Sequence, residues 1–219
     1  MSGVVVPRFV LLATTAHYAS VLFDALLRVD CAPVAVLMAG DAGVRAARDR
    51  DPSPGRPRIE LPLTTRSPIE QRARRHGIEL LHYPRTAAGR DPRPFHMLAQ
   101  RGVRLGVVGC FPYRLDAASR AGLPLGLLNL HPSLLPAWPG PNPVRDQIEG
   151  GDGCFGVSLH WLDDGLDTGR VIAQVRRRVE RSAALSRIEA ALAADAAWLL
   201  RAVLEQPGEI PEGAAQTRF

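Results

Sequence analysis

The sequence predicts an α/β fold: a doubly wound, mostly parallel sheet with an antiparallel hairpin at one edge and a long C-terminal helix. Three patterns carry that expectation. Short apolar runs alternate with segments of helical apolar spacing up to Leu130, the rhythm of strand, crossover helix and parallel strand. From Gly156 the period changes to strict alternation on both sides of a short acidic, Gly-rich turn, which marks a hairpin. Between Ser182 and Gln206, Leu185, Ile188, Leu192, Leu199 and Val203 recur with helical period.

In order, Arg8–Ala13 reads as the first strand, and Val21, Leu22, Ala25 and Leu26 place a helix after His17. Pro33–Met38 is the second strand, and residues 39–66 form a long Gly-, Pro- and Arg-rich loop. Ser67-Pro68-Ile69-Glu70 is a helix start: Ser at the N-cap, Pro in the first turn, and Glu three residues on to close a capping box. That helix ends at Gly77. Glu79–His82 is a short strand, Pro94–Arg101 a short helix, and Leu105–Gly109 and Leu125–Leu130 are buried strands. Gly156–Leu162 and Arg170–Val179 form the edge hairpin around the turn Asp163–Gly169, and Pro207-Gly208 stops the last helix.

With 219 residues, 46% of them hydrophobic and 22% charged, residues 1–219 suit a single domain with a full core. No apolar run approaches the roughly 18 to 20 residues of a spanning helix, and the start lacks a basic segment followed by an apolar one, so neither membrane insertion nor secretion is expected. Cys31, Cys110 and Cys154 lie far apart, which argues against a disulfide framework or a metal site and fits a reducing cytoplasm. The net charge of +5 would ordinarily suggest phosphate-bearing partners. Here all 27 basic residues are arginine and none is lysine, a compositional bias rather than a nucleic-acid footprint. The local concentration of arginines between Arg45 and Arg74 fits a solvated loop face or a substrate-contacting loop.

The first strand-to-helix turn, Ala13-Thr14-Thr15-Ala16-His17, has no glycine. A dinucleotide pyrophosphate needs close backbone approach there, so the oxidoreductase version of this fold is not expected. Chemistry concentrates instead at Leu128–Pro143. Asn129 and His131, two positions apart at a strand end, share one face where an open parallel sheet places ligands. Further on, the turn Asp163-Asp164-Gly165-Leu166-Asp167-Thr168-Gly169 presents carboxylates. Each segment alone has a plain structural use, as a loop cap or a hairpin connection.

Together, Asn129-Leu130-His131, Ser133-Leu134-Leu135-Pro136, Gly140 and Gly165-Leu166-Asp167-Thr168-Gly169 resemble the folate-dependent formyltransferases, including the glycinamide ribonucleotide, methionyl-tRNA and sugar N-formyltransferases. The separation of Asn129 from Asp167, 38 positions, also matches that pattern. Val107–Leu115 is similar to the family's folate-contacting loop, and weaker similarity runs from about Arg8 to Gln174. The resemblance implies a Rossmann-like formyltransferase fold and 10-formyltetrahydrofolate as formyl donor. It implies Asn129, His131 and Asp167 as the catalytic residues. Asn129 and a protonated His131 would donate to the oxyanion, and Asp167 would pair with the imidazole and relay the amine proton. Phe111, Pro112, Tyr113 and Leu115 would bind folate, with Asp163, Asp164 and Gly165 opposite. Thr14 and Thr15, with Arg56 and Arg58 of the long loop, are the candidate acceptor contacts. Ser133 shapes a turn, and His160, His17, His76, His82 and His96 have no assigned partner.

The expected activity is N-formylation of a small-molecule primary amine, an amino-sugar nucleotide or secondary-metabolite precursor first. The alternatives are glycinamide ribonucleotide or aminoacyl-tRNA as acceptor, hydrolysis of 10-formyltetrahydrofolate, and a non-catalytic folate-binding module. No C-terminal tRNA-binding barrel, nucleic-acid partner or metal is expected, while a homodimer through edge strands or the last helix stays open. If the long loop closes over an anionic acceptor, removing Arg56 and Arg58 together raises the acceptor's Michaelis constant in steady-state kinetics and leaves folate affinity unchanged. Equal effects on both ligands, or on neither, would return the loop to a solvated surface.

Overall fold

A computed structural model describes residues 6–40, 67–83, 90–151, 153–180 and 182–217. Among the described residues, seven strands form one sheet in the order β3-β2-β1-β4-β5-β6-β7. The strands are β1 (Phe9–Ala13), β2 (Ala35–Ala39), β3 (Glu79–Tyr83), β4 (Leu105–Gly109), β5 (Leu127–His131), β6 (Cys154–Trp161) and β7 (Val171–Arg178). Pairing from β3 through β5 is parallel, whereas β6 runs antiparallel to both β5 and β7. The doubly wound sheet with an antiparallel edge hairpin is therefore as the sequence predicts.

Helices α1 (His17–Arg28), α2 (Pro68–Arg75), α3 (Arg93–Gln100) and α6 (Leu185–Leu204) match the predicted ones within a few residues. The Ser67 hydroxyl accepts from Glu70 N while Ser67 N donates to Glu70 Oε2 at 2.6 Å, so the capping box is formed. Two short helices have no counterpart in the sequence reading. Four-residue α4 (Ala117–Arg120) depends on its cap, the Asp116 carboxylate accepting from Ser119 N at 2.9 Å. Helix α5 (Pro143–Glu149) starts with a proline, which reads from sequence as a continuation of the Pro-rich turn before it but is equally suited to a helix's first position.

The sheet divides the core in two. On one face α1 and α6 pack together, joining Leu22, Phe23, Leu26, Leu192, Ala196 and Leu200 in a single buried cluster. On the other, Tyr83, Phe95, Leu98 and Val103 form a second cluster against which Phe111 and Tyr113 rest. The strand order reverses between β1 and β4, so the loops leaving these two strands part to opposite faces and open a crevice at their carboxyl ends. Among the described residues no helix is long and apolar enough to cross a membrane.

Leu22 is fully buried. Leu22→Ala should cost about 2–5 kcal/mol, because the packed α1–α6 layer collapses only partly around the void. Urea denaturation measures it, and a loss below about 1 kcal/mol would show that this layer repacks freely.

Candidate active site

Strand β5 ends on Asn129 and His131, and the β6–β7 turn brings Asp167 back over them. All three side chains are nearly buried, Asn129 at 9%, His131 at 4% and Asp167 at 8% exposure. Asp167 Oδ1 accepts from Asn129 Nδ2 at 3.2 Å, and Oδ2 accepts from Gly140 N at 2.8 Å. Gly140 has φ +114°, a conformation that L side chains rarely adopt, which accounts for the glycine in the motif. His131 Nδ1 lies 3.6 Å from Asp167 Oδ2, an ion-pair rather than a hydrogen-bond distance. Its Nε2 sits 2.9 Å from the Trp138 carbonyl, which can only accept, so Nε2 carries a proton.

His160, which the sequence reading treats as ordinary, belongs to the same cluster. It lies directly across from Asn129 in the β5–β6 register, with Nε2 3.1 Å from Asn129 Nδ2. Its Nδ1 is 2.9 Å from the Trp161 carbonyl and must donate to it, which leaves Nε2 as the acceptor. Burial pushes the His160 pKa below 6.5, outweighing the hydrogen bond to Trp161 and the nearby carboxylates, and this favours the neutral ring that the network requires. Both Asn129 amide hydrogens are thus engaged, one by Asp167 and one by His160. Alternation along β6 puts His160 and Ser158 on one face, but only the register with β5 sets His160 opposite Asn129.

The trio opens into a cavity of about 440 Å³ with two chemically distinct ends. Phe111, Pro112 and Tyr113 line one end, with Leu166, and the Phe111 and Tyr113 rings meet edge to face at 5.4 Å. Thr14, His17, Arg145 and Glu189 line the other, where His17 Nδ1 is 2.7 Å from Glu189 Oε2. Leu115 does not reach the cavity; it is buried in the core behind the aromatic wall. Asp163, Asp164 and Gly165 also lie outside the wall. Asp163 Oδ1 accepts from Gly165 N and Thr168 Oγ1, and Asp164 pairs with Arg120 and accepts from Arg114 through its carbonyl. Thr15 is exposed beside the opening and not part of the wall, and Arg56 and Arg58 fall outside the described residues. Ser133 Oγ donates to Ala137 O at 2.7 Å, the turn-shaping use expected of it. No group of His, Cys, Asp and Glu suited to a metal ion occurs among the described residues.

The depressed His160 pKa has a measurable consequence. Below pH about 6.5 the unfolded chain binds a proton there that the folded protein resists, so this stabilising contribution is complete above that pH and lost as pH falls towards the folded value. Urea denaturation across pH 5 to 8 should therefore give a shallower acid-side decline for His160→Gln than for the unaltered protein. Identical slopes would place no titrating weight on His160.

Comparison with known proteins agrees with this architecture. The formyl transferase family model matches residues 96–204. The methionyl-tRNA formyltransferase of Gluconobacter oxydans is 32% identical over 160 residues, 73% of this chain and 52% of that protein. The chain thus spans about half the length of the relatives it matches. In fold it is similar to glycinamide ribonucleotide transformylase 1 of Symbiobacterium toebii, with TM-score 0.66, 22% identity and coverage of 98% of this chain and 95% of that one. A formyltetrahydrofolate deformylase of Pseudomonas syringae gives TM-score 0.65 at 17% identity, covering 96% of this chain and 65% of that one. On the match of the family model and the sequence likeness to these relatives, the chain belongs to the formyltransferase superfamily.

Proposed function

We propose that the protein is a folate-dependent N-formyltransferase that moves a formyl group from 10-formyltetrahydrofolate to the primary amine of a small molecule. The observation that carries this reading is a nearly buried amide, imidazole and carboxylate at the junction of a two-ended cavity. The aromatic end, with Phe111, Pro112, Tyr113 and Leu166, suits a flat, partly apolar heterocycle. That donor supplies an activated formyl carbon, whose bond to the folate nitrogen breaks as the bond to the amine forms.

The protein's task is then to serve two opposite charges. Negative charge grows on the formyl oxygen, and the hydrogen-bond donors at this end of the cavity are Asn129 and His131. Both are already engaged, Asn129 by Asp167 and His160, His131 by Trp138. Donation to the oxygen therefore exchanges an internal bond for one to substrate. If Asn129 turns an N–H away from Asp167, the freed Oδ1 becomes the acceptor for the proton leaving the attacking amine. The exchange couples oxyanion stabilisation to proton removal.

The polar end receives the acceptor. The Glu189 carboxylate, steadied by His17, accepts from hydroxyl or ammonium groups, while the exposed Arg145 guanidinium attracts an anionic one. An amine bearing both, such as an amino-sugar nucleotide or a polar secondary-metabolite precursor, meets these requirements. A second reading, with aminoacyl-tRNA as acceptor, is favoured by the sequence likeness to methionyl-tRNA formyltransferases.

The test is to incubate the protein and 10-formyltetrahydrofolate separately with amino-sugar nucleotides, glycinamide ribonucleotide, ornithine-like amines, charged initiator tRNA, and no acceptor. Formylation of a free amine is expected. Efficient formylation of the tRNA alone would favour the second reading, and acceptor-independent release of tetrahydrofolate would make the protein a hydrolase. Asp167→Asn and His131→Ala should each lower turnover on the order of a hundredfold or more with little change in folate binding. Near-normal turnover in either would remove that residue from the chemistry.

A further inference from the structure

Asp167 has φ +53°, the left-handed region that a non-glycine residue enters at a cost, so the turn must be held from outside as well as through its carboxylate. The support comes from the segment that follows α6. The Trp161 indole donates to the Pro211 carbonyl at 2.9 Å, and Arg170 Nε donates to Gly213 O at 3.0 Å. Ala214 and Val171 then exchange both backbone hydrogen bonds, each at 2.8 Å, as a single antiparallel bridge on the outer edge of β7. Gly213 makes this approach feasible: it has φ +77°, and a Cβ there would lie 2.6 Å from the Val171 carbonyl oxygen. Two residues past the bridge, Gln216 Nε2 donates to the Asp167 carbonyl and to the Gly169 carbonyl, both at 2.8 Å.

We propose that Gln216 is a positioning residue: its side-chain amide, carried in by residues 211–216, fixes the backbone of the Asp167 turn so that the Asp167 carboxylate meets Asn129, Gly140 and His131 together. The role rests on the formyl-transfer reading above, in which Asp167 takes the amine proton. One primary amide uses both its hydrogens on two carbonyls flanking Thr168, so it clamps the turn at two points. Carbonyl oxygens can only accept, so the clamp requires a donor at residue 216. A carboxylate of the same shape would set acceptors against acceptors. Gln216 holds backbone carbonyls of the turn rather than a catalytic side chain, so its effect passes through Asp167's backbone.

The experiment compares Gln216→Ala, Gln216→Glu and Gly213→Ala with the unaltered protein by steady-state kinetics, thermal unfolding and NMR of the His131 ring. A displacement of the carboxylate by a fraction of an ångström is expected to lower kcat on the order of tenfold for Gln216→Ala. Gln216→Glu should lose at least as much, and Gly213→Ala should follow in the same direction by moving the whole segment. The Michaelis constants for both substrates should stay within about twofold, since neither binding end is touched. The His131 ring signals should shift in all three variants while the fold is retained. Unchanged kcat and unchanged His131 signals in Gln216→Ala would overturn the proposal. So would a loss of activity that merely tracks the unfolded fraction, with normal His131 signals in the folded remainder. If the unaltered protein formylates no amine, the transferase reading fails, yet the NMR comparison still decides whether Gln216 holds the Asp167 turn.

Discussion

Everything at this site hangs on keeping one nearly buried carboxylate satisfied. Asp167 is 8% exposed, and a carboxylate so placed is tolerable only if donors replace its water. Asn129 Nδ2 and Gly140 N do so from two different segments, one at the end of β5 and one at the close of the Pro-rich turn. Each donor is itself constrained: Asn129 by His160 on the neighbouring strand, Gly140 by a backbone conformation suited to glycine. The carboxylate is thus the point at which strand pairing, the Pro-rich turn and the hairpin turn must agree. Such convergence is expensive to build and correspondingly rigid.

Much of this was legible in the sequence, for identifiable reasons. Apolar runs bounded by turn residues found the five parallel strands to within a few residues, because a parallel sheet covered on both faces favours continuous burial, and alternation found the antiparallel β6 and β7. The capping box at Ser67 was readable because its two residues satisfy each other locally. Asn129, His131 and Asp167 emerged as a set through their spacing and the motif around them. What stayed hidden depended on non-local geometry. His160 joins the cluster only through the β5–β6 register, and the Gln216 contact spans 49 positions. Leu115, Asp163 and Asp164 failed to reach the cavity for the opposite reason: adjacency to a binding loop in sequence says nothing about which side of the backbone a side chain takes. Helices α4 and α5 were missed because a single capping residue or an initial proline carries too little periodic signal.

The two faces of the sheet give the cavity its asymmetry. The aromatic end grows out of the Tyr83–Phe95 core, and the polar end out of the α1–α6 layer, so each is backed by its own packed cluster. Changes in one can be accommodated without disturbing the other, and Asn129 and His131 sit at the end of β5 between them. On the proposed formyl-transfer reading, an arrangement of this kind lets acceptor preference diverge through residues such as Arg145 and Glu189 while the folate end and the chemistry stay constant.

The cations of the cavity wall have one more consequence. Arg114 and Arg145 carry guanidinium groups, whose delocalised charge makes them poor nucleophiles. The chain contains no lysine, so no side chain anywhere in it offers a primary amine. A catalyst that brings an activated acyl group to an amine always risks acylating itself. On the formyl-transfer reading, the positive charge of the cavity wall comes in a form ill suited to take the group. No side-chain amine of the protein therefore competes with the incoming amine for the formyl group.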